Sequence, residues 1–505
     1  MIGQLKSAIS KYALLFLGSL LFHVAGTWSL PLIDRDEPRF AEASREMRQR
    51  GDYVVPYFNG QYRFDKPPLT YWTQVASYTL FGENDFAARL PSVIAAALTG
   101  LVIFAWGARA NLGGTAGGAP VLQRPGGHRI GLWAAIIFTL CLQTFIHAKA
   151  AVADIWLVLF VTIAHWAACE LLFSDDRRLV PWFAFYVSLA LAFLAKGPVG
   201  WLPILTVVLF IVATRPAQVA RRLAFCRGLL LTIIIVSVWA IPACIQTHGE
   251  FFRIGIGRHV IGRSIGAMEG HGASSVLVYL LLLPFYFVSV FVSFFPWSIK
   301  LPWLMRKVYQ QRDALDLYLL CGIGITFGIF TLVATKLPHY TLPAFPLLAL
   351  LLTRHWFNTE TKPDETRASP RRIAFKAIAV TAAAVWLAIA LILPPLATRF
   401  FPAYVLFQKA RGFVRSDTQF GAVDYLEPSL VWYFRSRTNG FLRPLRRNNL
   451  SEFMAQPGSR FVVVPTPLAA SAVTASPDQL KIFSTRGFNI AKGQKVDLTL
   501  VLKPE

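Results

Sequence analysis

Apolar runs about as long as a bilayer is thick recur along most of this chain, and no other feature constrains its fold so strongly. A helix needs about 20 apolar residues to cross the hydrocarbon core. Such runs lie near residues 12–33, 91–107, 130–147, 152–173, 181–195, 198–213, 228–246, 274–296, 315–334, 340–353 and 374–396. Several are short, and the middle of the chain has room for one or two more, which predicts an odd number of about eleven to thirteen transmembrane helices. Composition agrees: of 505 residues, 55% are hydrophobic and 15% charged, whereas a soluble protein carries about a quarter of its residues as charges. Disordered, collagenous and disulfide-scaffold classes are excluded. The five cysteines lie in or beside apolar runs without paired spacing.

A net charge of +23 would suggest nucleic acid in a soluble protein. Here the charge follows topology instead. Lys6 and Lys11 precede the first run, which places the N-terminus in the cytoplasm. That run is too long for a signal peptide and no small-residue cleavage site follows before Asp34, so it reads as an uncleaved span. The loops then expected inside carry Arg215, Arg221, Arg222, Arg227, Lys300, Arg306, Lys307, Arg312, Arg367, Arg371 and Arg372, the bias of the positive-inside rule. On the opposite face stand the loop 34–90 and a less apolar tail, 397–505. Phe461-Val462-Val463-Val464-Pro465 and the alternation Val496–Leu502 read as strands. The expected fold is an all-α polytopic domain, 1–396, with a small α/β domain, 397–505, outside the membrane.

The loop 34–90 holds nine of the chain's 27 acidic residues, a density that is costly at a membrane boundary unless the charges are paired or hydrated. Asp36 can cap a helix, Glu37 suits its first turn, Pro38 is tolerated there and Gly51 ends it. Phe40, Ala43 and Met47 share one face, while Arg39, Glu42, Arg45 and Glu46 fall on others. A second helix is expected from Pro67-Pro68, with Leu69, Trp72 and Ala76 on its apolar side and Gly82 as its stop. Two amphipathic helices on the outer leaflet follow from this pattern.

A carboxylate at such an interface can take a proton from an attacking hydroxyl. A lysine can hold a phosphate that gains charge as a bond breaks. Asp36 and Lys66 supply one of each, which points to transfer from a lipid-linked phosphate; a helix cap and a simple ion pair explain the same two residues equally well. Other ionisable groups fall at the same depth: His147, Lys149 and Asp154; Lys196; Arg253, Arg258, His259, Arg263, Glu269 and His271; Lys336 and His339. His259 and His271 with Glu269 have loose spacing for a metal. His165 lies mid-span and reads as a packing residue.

The run Asp34-Arg35-Asp36-Glu37-Pro38-Arg39-Phe40-Ala41-Glu42, then Arg45-Glu46-Met47, Gly51-Asp52-Tyr53-Val54-Val55-Pro56, Asp65-Lys66-Pro67-Pro68-Leu69-Thr70-Tyr71-Trp72, Leu80-Phe81-Gly82 and Ala88-Arg89-Leu90-Pro91-Ser92 resembles the bacterial lipid A aminoarabinose transferases and the related protein O-mannosyltransferases. These are GT-C glycosyltransferases that use polyprenyl-phosphate sugars. Lys336-Leu337-Pro338-His339-Tyr340 resembles a later segment of the same enzymes. The likeness is dense over about 30–92 and patchy to about 346.

The resemblance implies an inverting sugar transfer on the periplasmic face of the bacterial inner membrane. It assigns Asp36, with Glu37 beside it, and Asp154 to catalysis, and Lys66, Lys196, Arg258 or Arg263, and Tyr340 to the donor phosphate. Arg39, Lys336 and His339 would complete the pocket. This chain has Asp65 where the aminoarabinose enzymes have Glu. No cofactor is required; a divalent metal on Asp65 with His259 or His271 is allowed without being catalytic. The expected partners are a polyprenyl-phosphate sugar, an acceptor that is lipid A, another glycan or a protein, and membrane lipid, with no nucleic acid. A transporter or flippase of a lipid-linked sugar is the rival class; such proteins tend to show repeats and midplane helix breaks, and no repeat is seen here.

Overall fold

A helix stands at each of the eleven apolar runs in the computed structural model, which describes residues 2–109, 127–173, 179–215, 222–255, 257, 275–358, 370–472 and 480–504. Among the described residues six helices are long and apolar enough to cross a bilayer, with 179–214 counted as one, or eight if each of two bent pairs is one span. The shortfall against eleven to thirteen lies in how the runs are broken. Helices α5 (Gly127–Leu140) and α6 (Leu142–Ala148) meet at a 69° bend, and Phe285–Ser293 meets Trp297–Gln310 at 118°. Others, such as Phe345–Asn358, are short.

Helix α8 (Leu179–Lys196) continues through a 3-10 turn, Gly197–Trp201, into α9 (Leu202–Thr214). This is not one long span. A Cβ placed on Gly200 would lie 2.5 Å from the Ala192 carbonyl carbon, whereas eight residues of straight helix separate two positions by about 12 Å. The chain therefore doubles back at Gly197, whose φ of +75° suits glycine. Two limbs joined by a tight turn match the expected pair of spans. Outward-facing Leu14, Leu21, Val238, Ile245, Val288 and Leu393 are exposed apolar side chains, the surface a lipid solvent requires.

In the first loop, helix α2 (Asp36–Arg50) ends at Gly51 with φ +65°, and α3 (Leu69–Phe81) ends at Gly82. Asp36 is not the cap: Arg35 occupies that position without a side-chain bond, which leaves the Asp36 carboxylate out of the helix's own bonding. Helix α2 is also not on a lipid surface. Glu42, Ser44, Arg45, Glu46 and Met47 are buried, between α3 and the tail helix Pro428–Phe434. The Ser44 hydroxyl donates to Gln74 Oε1 at 2.6 Å, and the Arg45 guanidinium lies 3.8 Å from the Trp432 ring. Helix α3 stands where it was expected, but its buried face is not the one the spacing named: Leu69 and Trp72 are half-buried and Ala76 is exposed, while Tyr71, Gln74 and Tyr78 face inward.

The tail folds as a five-stranded sheet in the order β4-β3-β5-β7-β6. Strands β3 (Gln419–Ala422), β4 (Leu442–Pro444) and β5 (Arg460–Pro465) are parallel; β7 (Gln494–Lys503) pairs antiparallel with β5 and with β6 (Lys481–Asn489). The two apolar runs read as strands are β5 and β7. Alternate residues of β5 enter two different clusters, Phe461 and Val463 on one face and Val462 and Val464 on the other, so this central strand is covered on both sides.

Candidate active site

Segments far apart in the sequence meet at a polar cavity of about 290 Å³. Asp34, Arg35 and Asp36 come from the start of α2, Asp65 and Lys66 from the approach to α3, and Asp154 from the first turn of α7 (Asp154–Phe173). Lys196 ends α8, and His339 and Tyr340 come from the 3-10 segment Pro338–Ala344. Ile490 and Ala491, in the turn between β6 and β7, also line it, as do the apolar Phe40, Val152, Ala153 and Leu337. A larger cavity of about 900 Å³ adjoins it, is mostly apolar, and shares Ile490 with it.

Asp36 is exposed in the polar cavity, and among the described residues its carboxylate accepts no hydrogen bond. A carboxylate in this state is free to accept a proton. Lys66 Nζ donates to Asp65 Oδ1 at 2.8 Å, and Arg63 Nη2 donates to Asp65 Oδ2 at 3.1 Å. Asp65 is thus already shared by two cations, which fixes the reach of Lys66. Lys196 Nζ donates to Asp154 Oδ1 and lies 5.3 Å from the centre of the Tyr340 ring. His339 Nε2 is 3.7 Å from the same Asp154 oxygen. Burial pushes the His339 imidazole down to about 3, against the opposing pull of Asp154, so the ring is neutral near pH 7 and offers hydrogen bonding rather than charge.

Other expected site residues fall elsewhere. Glu37, expected beside Asp36 in catalysis, does not line the polar cavity: Arg89 Nε and Nη2 each donate to it at 2.8 Å, and the Ile33 and Ala151 N–H groups donate at 2.8 Å. Its carboxylate has no free capacity for a substrate proton. Lys336, expected in the pocket, also stands apart from it. It donates to the Phe330 and Thr331 carbonyl oxygens at the end of the helix Ala314–Leu332 and does not line the polar cavity. Arg39 also stays outside that lining; its charge acts on Asp34. Arg258, His259, Arg263, Glu269 and His271 lie outside the described residues.

Of the expected metal set, Asp65 with His259 or His271, both histidines lie outside the described residues; among the described residues another group stands together. His147, Asp154 and His339 place ligand atoms within 4.8 Å of one another. The donor types suit zinc, yet Lys196 already occupies Asp154, and a cation there would have to displace it.

Sequence reasoning missed the tail's share of the site. The Ser429 N–H donates to Asp34 Oδ1 at 2.9 Å and its hydroxyl donates to Oδ2, while Arg35 Nε donates to Glu427 Oε2 at 3.3 Å. Burial pushes the Asp34 carboxyl up to about 7 despite those two bonds. These contacts span about 390 residues of chain, and no local pattern announces them. Only the density of charge in Asp34-Arg35-Asp36-Glu37 hinted that distant partners must exist.

A model of the dolichyl-phosphate-mannose-protein mannosyltransferase family matches residues 65–241. An uncharacterized protein of Aquifex aeolicus is 30% identical over 341 residues, covering 67% of this chain and 71% of that one. An undecaprenyl phosphate-alpha-4-amino-4-deoxy-L-arabinose arabinosyl transferase of Erwinia tasmaniensis is 28% identical over 356 residues, covering 68% of this chain. The chain spans only 59% of the length of that transferase. Among solved structures, ArnT from Cupriavidus metallidurans, determined with undecaprenyl phosphate bound, shares the fold at a TM-score of 0.75, with 19% identity and 98% of both chains covered. With the matched sequence running from Asp65 through Lys196 and the fold shared nearly end to end, the chain belongs to the GT-C glycosyltransferases.

Proposed function

We propose that this enzyme moves a sugar from a polyprenyl phosphate, undecaprenyl phosphate in the first instance, to an acceptor at the periplasmic face of the bacterial inner membrane. The favoured sugar is 4-amino-4-deoxy-L-arabinose and the favoured acceptor lipid A, the readings supported by the arabinosyl transferase relatives and the first-loop motif. One observation carries the proposal: an unbonded carboxylate, Asp36, shares a small polar cavity with two lysines, Lys66 and Lys196. Residues 1–396 would form the membrane catalytic domain and 397–505 the periplasmic one.

The chemistry follows from that cavity. The acceptor oxygen bonds to the anomeric carbon as the bond from that carbon to the phosphate oxygen breaks, and the electron pair leaves with the phosphate. Lys66 and Lys196 offset the charge that accumulates there, while Tyr340 and neutral His339 offer hydrogen bonds. Attack on the face opposite the phosphate inverts the configuration. A hydroxyl acceptor gives its proton to Asp36. A phosphate acceptor is already ionised, and Asp36 then orients it or stabilises positive charge on the sugar.

The match to a protein mannosyltransferase family supports a second reading, in which the acceptor is a protein hydroxyl. The test is transfer from radiolabelled undecaprenyl-phosphate aminoarabinose by the purified chain in detergent. Labelled lipid A with stoichiometric release of undecaprenyl phosphate is expected. Labelled protein instead would support the second reading, and a donor left intact with both acceptors would overturn the proposal.

A further inference from the structure

We propose that Arg35 is a third phosphate-binding cation of the polar cavity, held in place by Glu427, so that the tail completes the anion site from behind. This rests on the glycosyl-transfer reading above and adds to it a residue outside the expected site set.

Arg35 lines the cavity beside Asp36, and its side chain is 32% exposed. Its Nε donates to Glu427 Oε2 at 3.3 Å. Among the described residues nothing accepts from its Nη1 or Nη2, and Glu427 is its one ion-pair partner. A guanidinium bonded through Nε alone keeps its terminal fork for a bidentate oxyanion.

The three cations of the cavity differ in where their carboxylates stand. Lys66 is paired with Asp65 and Lys196 with Asp154, and both carboxylates line the cavity themselves. Glu427 does not line it. It is 3% exposed, and its second oxygen accepts from Asn489 Nδ2 at 2.9 Å. Each lysine therefore brings a negative group to the cavity wall with it, and Arg35 does not.

The anchoring is built from tail residues. Asn489 holds Glu427, Glu427 holds Arg35, and Ser429 binds both oxygens of the adjacent Asp34. A guanidinium fixed before the ligand arrives loses less side-chain freedom on binding. Glu427 and Asn489 are positioning residues that act through Arg35. The chemistry Arg35 recognises is a phosphate oxyanion, which accepts two parallel N–H bonds from a guanidinium. Two sources bring one to this cavity: the donor's polyprenyl phosphate and a phosphate on the acceptor.

The test measures binding by the full chain in detergent with undecaprenyl phosphate, lipid A, and lipid A stripped of its phosphates. Arg35→Gln removes the charge and keeps a donor toward Glu427. If the donor phosphate is the ligand, it should raise the Kd of undecaprenyl phosphate by about tenfold or more. If the acceptor phosphate is the ligand, the same loss should appear with lipid A and be absent with its dephosphorylated form. Arg35→Lys, which keeps the charge without the fork, should recover part of the loss. Glu427→Gln keeps the acceptor for Asn489 but not the charge that holds Arg35, and should weaken the same probe by a smaller factor. Kd values for both phosphate probes within about twofold of wild type in Arg35→Gln overturn the inference, as does an equal loss with dephosphorylated lipid A. Glu427→Gln with a lowered melting temperature and wild-type Kd values overturns the positioning role. Sugar transfer is scored separately: a wild type that binds undecaprenyl phosphate and transfers no sugar removes the glycosyl-transfer reading, while the Kd comparison still decides Arg35.

Discussion

Glu37 and Arg89, 52 residues apart, form a buried two-pronged ion pair with both contacts at 2.8 Å. The same guanidinium donates to the carbonyl oxygens of Thr27, Leu30 and Pro31. The end of the first span, the start of α2 and the span α4 (Asp85–Arg109) are thereby fixed to one another. Asp36 directly precedes this anchor, so its placement in the cavity depends on a neighbour whose carboxylate is held by Arg89 and two backbone N–H groups.

Removing one partner of a buried, hydrogen-bonded ion pair costs about 3–5 kcal/mol. Glu37→Gln should accordingly lower the melting temperature in detergent well below the wild-type value. Whatever protein remains folded should keep a measurable rate per folded molecule. A variant with wild-type melting and no turnover would return Glu37 to the catalytic set.

Lys66 and Lys196 are held by different carboxylates, Asp65 and Asp154. Each should contribute separately to the donor phosphate. Lys66→Ala and Lys196→Ala should each raise the donor KM by about tenfold or more, as loss of a charge-assisted bond of about 1.5–3 kcal/mol requires. Donor titration with undecaprenyl phosphate as competitor checks this, and competition unchanged from wild type would remove the lysine concerned from the phosphate site.

Asp34 supplies a pH dependence. Burial raises its folded pKa to about 7 from an unfolded value near 4. Between those values the folded state retains a proton that the unfolded state has lost. Stability is therefore full below about pH 4 and falls as pH rises toward 7, by at most about 1.4 kcal/mol per unit. Asp34→Asn, which keeps the contact with the Ser429 hydroxyl but cannot ionise, should flatten the melting temperature against pH over that window. An unaltered pH profile would mean that Asp34 is ionised throughout.

The parts of the account legible in the sequence were those written in local spacing. Gly51 and Gly82 mark the ends of α2 and α3, and the Phe461–Pro465 run became a strand covered on both faces. Identical chemistry at adjacent positions was not separable: Asp36 and Glu37 read alike, yet one faces the cavity and the other is saturated by Arg89. Lys336 and Lys196 also read alike at the ends of apolar runs, and only their partners, two helix carbonyls or Asp154, set them apart. Ile490 and Ala491 carried no signal, because the fold alone brings them to the lining of a cavity that Asp36, more than 400 residues away, also lines.

The central claim is that Asp36 acts on the acceptor in a cavity whose cations hold the leaving phosphate. Single-turnover transfer by Asp36→Asn measures this most directly, with undecaprenyl phosphate binding followed in the same preparation. With a hydroxyl acceptor the expected rate is lower by about 10²–10⁴, the range general-base catalysis supplies, and with an already ionised phosphate acceptor it is lower through lost orientation, in both cases with binding of undecaprenyl phosphate and melting temperature as in the wild type. Turnover near the wild-type rate, or a loss explained entirely by weaker binding of undecaprenyl phosphate, would contradict it.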